Sequence, residues 1–255
     1  MRSRLEILLF LILTFYASEE LFAQEFGFGC FGLVGGYAGY ETQIVHADGL
    51  NNYINAFNTM RADSMESPLS LFDELKGFRF GLDVYRLKYV GFAVKFKSYY
   101  QRLSAKKQTL VTLSQGARQN NSLEFVMNNF AIGADVTTPI TRMITWKILD
   151  VGMILNTASF IKTINTSTTT FESKDYKSVE TSLGYSIGTG FILNIIEDYI
   201  SLEGTAAYSF FSVRRLRSGS FEYLTVTETN PAIMDIGVNN GGLNTLIQFN
   251  IGLPF

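Results

Sequence analysis

From Leu243 to Phe255 apolar and polar residues alternate with period two. Leu243, Thr245, Ile247, Phe249, Ile251, Leu253 and Phe255 fall on one face of an extended chain. Asn244, Gln248, Asn250 and Gly252 fall on the other, with Leu246 and Pro254 as apolar intruders. A strand of this kind needs hydrocarbon on one side and a wet or polar interior on the other. The same period recurs upstream. Phe78, Phe80, Leu82 and Val84 oppose Arg79, Gly81, Asp83 and Tyr85; after a turn near Leu87 and Lys88, Val90, Phe92, Val94 and Phe96 oppose Gly91, Ala93, Lys95 and Lys97. Between Leu123 and Thr138, Val126, Phe130, Ile132, Ala134 and Val136 point outward and Asn129, Gly133, Asp135 and Thr137 inward. Leu149, Val151, Met153 and Leu155 oppose Asp150, Gly152 and Asn156. Val179, Leu183, Tyr185, Ile187, Phe191 and Leu193 oppose Glu180, Ser182, Gly184, Ser186, Gly188 and Gly190. Past a turn at Glu197 and Asp198, Ile200, Leu202, Ala206, Tyr208 and Phe210 oppose Ser201, Glu203, Thr205 and Ser209. A Gly-rich first strand, Phe26 to Tyr40, completes a set of eight, with its phase left open.

The links alternate in length. Two-to-three, four-to-five and six-to-seven are short; one-to-two, three-to-four, five-to-six and seven-to-eight are long. Most segments reach the 9 to 11 residues, roughly, that a membrane strand needs. The expected fold is therefore all-β: an eight-stranded antiparallel transmembrane β-barrel with long outer loops. Closure follows because lipid cannot satisfy an open strand edge. The first outer loop departs from the strand pattern. Leu50, Tyr53, Ile54 and Phe57 repeat at helical spacing behind Asp48 as a cap, and Ser67-Pro68 followed by Phe72 and Leu75 predicts a second short helix. The apolar stripe either folds down as a lid on the barrel mouth or docks an envelope protein partner.

The ends suit an exported barrel. Arg2 and Arg4, an apolar run from Leu5 to Tyr16 and the small Ala23 predict a signal peptide over 1–23, leaving 24–255 as the barrel domain. The run is too short for a helix to cross roughly 30 Å of hydrocarbon, and Cys30 lies too far past it for lipidation. A terminal Phe255 on the strand carrying Phe249, Ile251 and Leu253 resembles the assembly signal of bacterial outer-membrane proteins. The pattern as a whole resembles the small eight-stranded outer-membrane barrels of the OmpA and OmpX type, and the Ala-Gln cleavage site with Asn-rich outer loops is reminiscent of Bacteroidota barrels. The resemblance implies the outer membrane as location, with its lipid and its assembly machinery as partners. The alternative architecture is a soluble lipocalin-like barrel with its apolar face inward.

Composition narrows the chemistry. The chain holds 22 Phe, 13 Tyr, 22 Gly and only four Pro, which suits many twisted strands. A single Cys excludes an internal disulfide, and a net charge of −2 gives no basic field for nucleic acid. The lone His46 has no Ser neighbour, so no hydrolase triad forms around it. No metal-ligand cluster or phosphate-binding glycine motif is present, so no cofactor is expected. On the inward face, Arg79, Lys95 and Lys97 meet Asp83, Asp135, Asp150, Glu180 and Glu203. Eight strands leave an interior just wide enough for side chains, so these charges must pair, and a filled lumen is expected. The resulting reading is a non-enzymatic barrel, a structural or interaction component of the cell envelope. Its finer form is an accessory subunit of a machine for export, motility or outer-membrane assembly. A narrow channel for small solutes and a lipid-modifying enzyme are the alternatives.

Overall fold

The computed structural model describes residues 35–113, 116–166, 171–196, 199–229 and 231–252. The expected signal peptide, the first residues of the expected first strand, and Leu253 to Phe255 lie outside them. The described residues form ten strands: β1 (Gly35–Ile44), β2 (Glu74–Tyr89), β3 (Phe92–Thr112), β4 (Arg118–Pro139), β5 (Ile144–Thr166), β6 (Phe171–Ser178), β7 (Ser182–Ile196), β8 (Ile200–Phe210), β9 (Leu216–Ser218) and β10 (Gly242–Gly252). One helix, α1 (Asp48–Met60), lies between β1 and β2. Eight strands close an antiparallel ring in the order β4-β3-β2-β1-β10-β8-β7-β5, with β4 pairing back to β5. Short β6 and β9 pair with each other beside the upper part of β5.

Register fixes the shape. A row of partners leaves β7 at Leu183, passes Leu155, Phe130, Tyr100, Phe80, Ala38, Phe249 and Leu202, and re-enters β7 at Leu193, ten residues further on. A stagger of that size tilts the strands by about 35–45° and leaves a narrow bore. Phe78, Phe80, Leu82, Ile132, Ile187, Phe191, Ile247 and Phe249 stand exposed on the outside. Polar and charged side chains are buried inside. With no open edge in the ring, this is a transmembrane barrel of the bacterial outer-membrane kind.

The tall side of the barrel, β3 to β5, rises beyond the lipid-facing belt. Along β4 the outward residues Val136, Ala134, Ile132 and Phe130 give way to Asn128 and Glu124, while inward Asp135 and Asn129 give way to buried Met127, Phe125 and Leu123. The two faces exchange character at Asn128, whose Oδ1 accepts a 2.8 Å bond from the Tyr100 hydroxyl. The eleven residues 128–138 match the length of a membrane-crossing strand. Above the exchange, the stripe of α1 completes an apolar core with Leu103, Leu123, Phe125, Met127, Phe160 and Phe72. Tyr53 meets Phe160 edge-on with centroids 5.8 Å apart. The outer part is thus a cap with a core of its own.

Several expectations need correction. The β2–β3 turn is Val90-Gly91, three residues later than expected, and Gly91 takes the positive φ of 87° that this tight turn demands. A bulge after Asp83 turns Tyr85 outward, opposite Phe96. Val126, expected against lipid, is 2% exposed; it sits above the exchange, between Ser104 and Ser159 in register. The β3–β4 link is short because both strands continue upward to enclose the cap. Asp48 opens the first turn of α1 without capping it; Ala47 is the cap residue, and Asp48 accepts a 2.7 Å bond from Asn239 instead.

The second expected helix does not form. Asn51 and Asn58 occupy its place in the hydrogen-bond plan: Asn58 exchanges two 2.9 Å bonds with the Leu69 backbone, and Asn51 bonds the Phe72 N–H at 2.7 Å and C=O at 3.4 Å. Two helical turns advance about 10 Å, which is also about three residues of extended chain. The segment is therefore held extended along α1.

Candidate functional site

The lumen brings Arg79, Asp83, Lys95, Lys97, Asp135, Asp150 and Glu203 together, all buried. Each arrives on an inward position of a ring strand, where alternation leaves no other direction for the side chain. Lys97 lies 2.7 Å from both Asp135 and Asp150. Lys95 lies 3.1 Å from Asp83 and 3.8 Å from Asp135. The hub is a residue the sequence reading missed. Lys147 pairs with Asp135 at 3.0 Å, with Asp150 at 3.1 Å and with Glu203.

Lys147 and Asp150 are three apart and should face opposite ways on a regular strand. β4 pairs Val136 with Leu149 and Thr137 with Lys147, skipping Ile148. That bulge turns both side chains inward. Because the expected first strand stopped at Tyr40, whereas β1 runs on to Ile44, Glu41 was missed. It is buried 2.5 Å from Arg79, whose guanidinium also lies 4.0 Å from the centroid of the Tyr99 ring. Gly81 makes room here, since a Cβ would fall 2.2 Å from the Tyr37 ring. The signal that could have pointed to Glu41 is the alternation past Tyr40, where buried Glu41 and Gln43 share one face and exposed Ile44 takes the other.

Glu180 does not join the network. Val179 donates its N–H to Arg215 at 3.1 Å, so the chain bends before β7 begins at Ser182 and leaves Glu180 exposed. Asp135, Asp150 and Glu203 converge within 4.8 Å, a spacing that could suit a cation. Lys147 contacts all three and Lys97 two of them, so ammonium groups already supply that charge. Above this network Gln101 and Asn129 form a neutral amide pair at 3.3 Å beneath the apolar cap.

The stripe of Leu50, Tyr53, Ile54 and Phe57 faces the chain's own core and is buried. It offers no free apolar surface to a partner, because its contacts are already made with β3, β4, β5 and Phe72. A polar clamp closes the cap from outside. Glu228 receives the Tyr53 hydroxyl at 3.3 Å, pairs with Lys162, and lies 3.5 Å from Arg61. Burial and the neighbouring Glu228 charge hold the Tyr53 hydroxyl well above its ordinary pKa, so it stays a donor. His46 is exposed, and its backbone bridges to Asn239 and Asn240. Phe249 and Ile251 of the expected assembly signal stand on the outer face of β10; Leu253 and Phe255 lie outside the described residues.

No family model matches the chain, and no curated protein matches it. Among solved structures it is similar to Neisserial surface protein A at 10% identity, over 87% of this chain and 96% of that one, with a TM-score of 0.40. It is similar to Ail of Yersinia pestis at 14% identity, over 86% and 97%, with a TM-score of 0.37. The outer membrane protease OmpT from Escherichia coli aligns at 8% identity, over 87% and 94%, with a TM-score of 0.39. The closed ring and apolar belt of this chain, rather than these neighbours, make it a membrane barrel.

Proposed function

We propose that this chain is a non-enzymatic, non-conducting outer-membrane barrel that serves the cell envelope as a structural or interaction component. The observation that carries this reading is the ion-pair network across the lumen. Four cationic and five acidic side chains interlock across the bore, from Glu41 and Arg79 to Lys147 and Glu203. A solute path would need those pairs broken, and separating buried ion pairs is costly. The same pairing opposes a catalytic role for the buried acids, since each is occupied by a cation out of reach of substrate. In its finer form the barrel is an accessory subunit of an export, motility or assembly machine. With the α1 stripe buried, a protein partner would meet the polar outer surface or the lipid-facing belt.

Planar-bilayer recording tests the filled lumen. The wild-type protein is expected to be electrically silent, and to stay silent when Tyr53→Ser and Phe57→Ser loosen the cap, because the ion network below still fills the bore. Discrete openings in wild type would reject the reading in favour of a narrow channel. Openings only in the double variant would move the barrier from the network to the cap. A stoichiometric protein in a gentle-detergent pulldown would support the accessory-subunit form.

A further inference from the structure

At the outer tip, β6 and β9 pair through Tyr176 with Ser218 and Lys177 with Arg217. The chain then turns through Gly219 and Ser220 and returns with Tyr223 opposite Arg217. Phe221 closes this turn at φ 66°, its N–H donating to Ser218 at 3.0 Å. It is the one non-glycine residue with positive φ among those described. For a bulky side chain that conformation is a true outlier, and glycine would take it without strain. Burial of the ring does not compensate, because Phe221 is 74% exposed. A strained residue held at a surface tip is a pointer to function.

Beside it lies a groove of about 370 Å³ lined by Ser173, Lys174, Asp175, Lys177, Ser218 and Ser220. Its lining includes hydroxyls, ammonium groups and a carboxylate, which are partners for a polyhydroxylated ligand. Lys174 is paired with Glu222 and Lys177 with Asp175. Arg217 differs. Its guanidinium sits 5.1 Å from the Phe221 centroid and 6.0 Å from that of Tyr223, and among the described residues no carboxylate pairs with it. A guanidinium oriented by two rings with its fork unclaimed is prepared for a bidentate carboxylate.

We propose that this tip binds an acidic saccharide, whose ring stacks on the open face of Phe221 and whose carboxylate pairs with Arg217, while the adjoining groove takes its hydroxyls. The site lies on the outer surface and does not depend on whether the lumen conducts. The sugar could belong to a free glycan or to the glycolipid of the same membrane.

Calorimetric titration of the full chain folded in detergent separates these sources and tests the site. The probes are trigalacturonate, neutral maltotriose, and nanodiscs containing lipopolysaccharide. Trigalacturonate binding assigns the groove to free acidic glycan; binding of lipopolysaccharide alone assigns it to the glycolipid. In either case Phe221→Gly should weaken binding at least tenfold while raising the melting temperature, because glycine relieves the strained turn as it removes the ring. Arg217→Lys should weaken it too, since an ammonium cannot replace the fork. Undiminished binding by Phe221→Gly, equal affinity for maltotriose, or no binding of either acidic probe would overturn the proposal.

Discussion

The two halves of β4 use the same alternation for opposite chemistry. Below Asn128 the inward side chains include Asp135 and Asn129, and the outward ones are Val136, Ile132 and Phe130. Above it the inward ones are Met127, Phe125 and Leu123, and outward Glu124 meets water. The backbone and its direction relative to the bore do not change. What changes is the solvent outside. In lipid the outer face must be apolar and the confined interior can hold paired charge; in water the outer face is polar and the interior must supply a hydrophobic core. One barrel thus contains an inside-out half and an ordinary half stacked along shared strands, and α1 is the extra element that the ordinary half needs to fill its wider mouth.

The comparison can be broken most severely in the charged half. Replacing Lys147 with Met strips the hub from Asp135, Asp150 and Glu203, and leaving buried charge uncompensated costs about 3–5 kcal/mol. The expected result is a large fall in the urea midpoint at which the folded, heat-modifiable form is lost on a gel. A change near zero would mean that water or ions, not Lys147, balance those acids.

A second test sets the two outer faces of β4 against each other. Ile132→Arg places a charge in the lipid belt, at a cost of about 2–4 kcal/mol near the midplane. Glu124→Arg, on the same face above the exchange, should change the same unfolding midpoint by no more than about 0.5 kcal/mol. Equal costs would show that the boundary is not at Asn128.

The smallest effect belongs to the clamp on the cap. Burial alone would raise the Glu228 pKa, but the hydrogen bond and charge of Lys162, with Arg61, outweigh it and hold it below the ordinary carboxylate value. A depressed folded-state pKa means that the clamp's contribution is present above the unfolded value of about 4.3 and is lost as pH falls through the lower folded one. The clamp should contribute less than about 1 kcal/mol. Wild-type protein should resist proteolysis of the β9–β10 connection better than Glu228→Gln at neutral pH, and the two should converge as pH falls through the depressed folded-state value. A difference that persists in acid would assign the effect to shape rather than charge.

How far the strands could be read depended on assumptions about solvent and regularity. Alternation identified the faces of β7, β8 and β10 without error among the residues described, because those strands are regular and stay close to the belt. Val126 went to the wrong environment because period two gives a face and not what covers it, and here the protein itself does. Tyr85 and Lys147 were misplaced or missed because a bulge adds one residue and reverses the phase, and nothing local in Asp83-Val84-Tyr85 or Ile148-Leu149 announces it. The expected second helix failed for a reason equally invisible in its own residues. Its backbone is claimed by Asn51 and Asn58, which precede it in the chain and are set at the matching spacing by α1.

By itself the sequence determined that the chain builds a closed antiparallel barrel with an apolar exterior, a charged interior and a helical stripe in the first outer loop. These follow from period and residue type, which are local. Only the tertiary structure decided that Lys147 is the hub, that Glu41 answers Arg79, that Glu180 stays outside, and that the stripe of α1 is spent on the chain's own core. Each of those depends on register between strands distant in sequence, and register is set by closure of the whole ring rather than by any one segment.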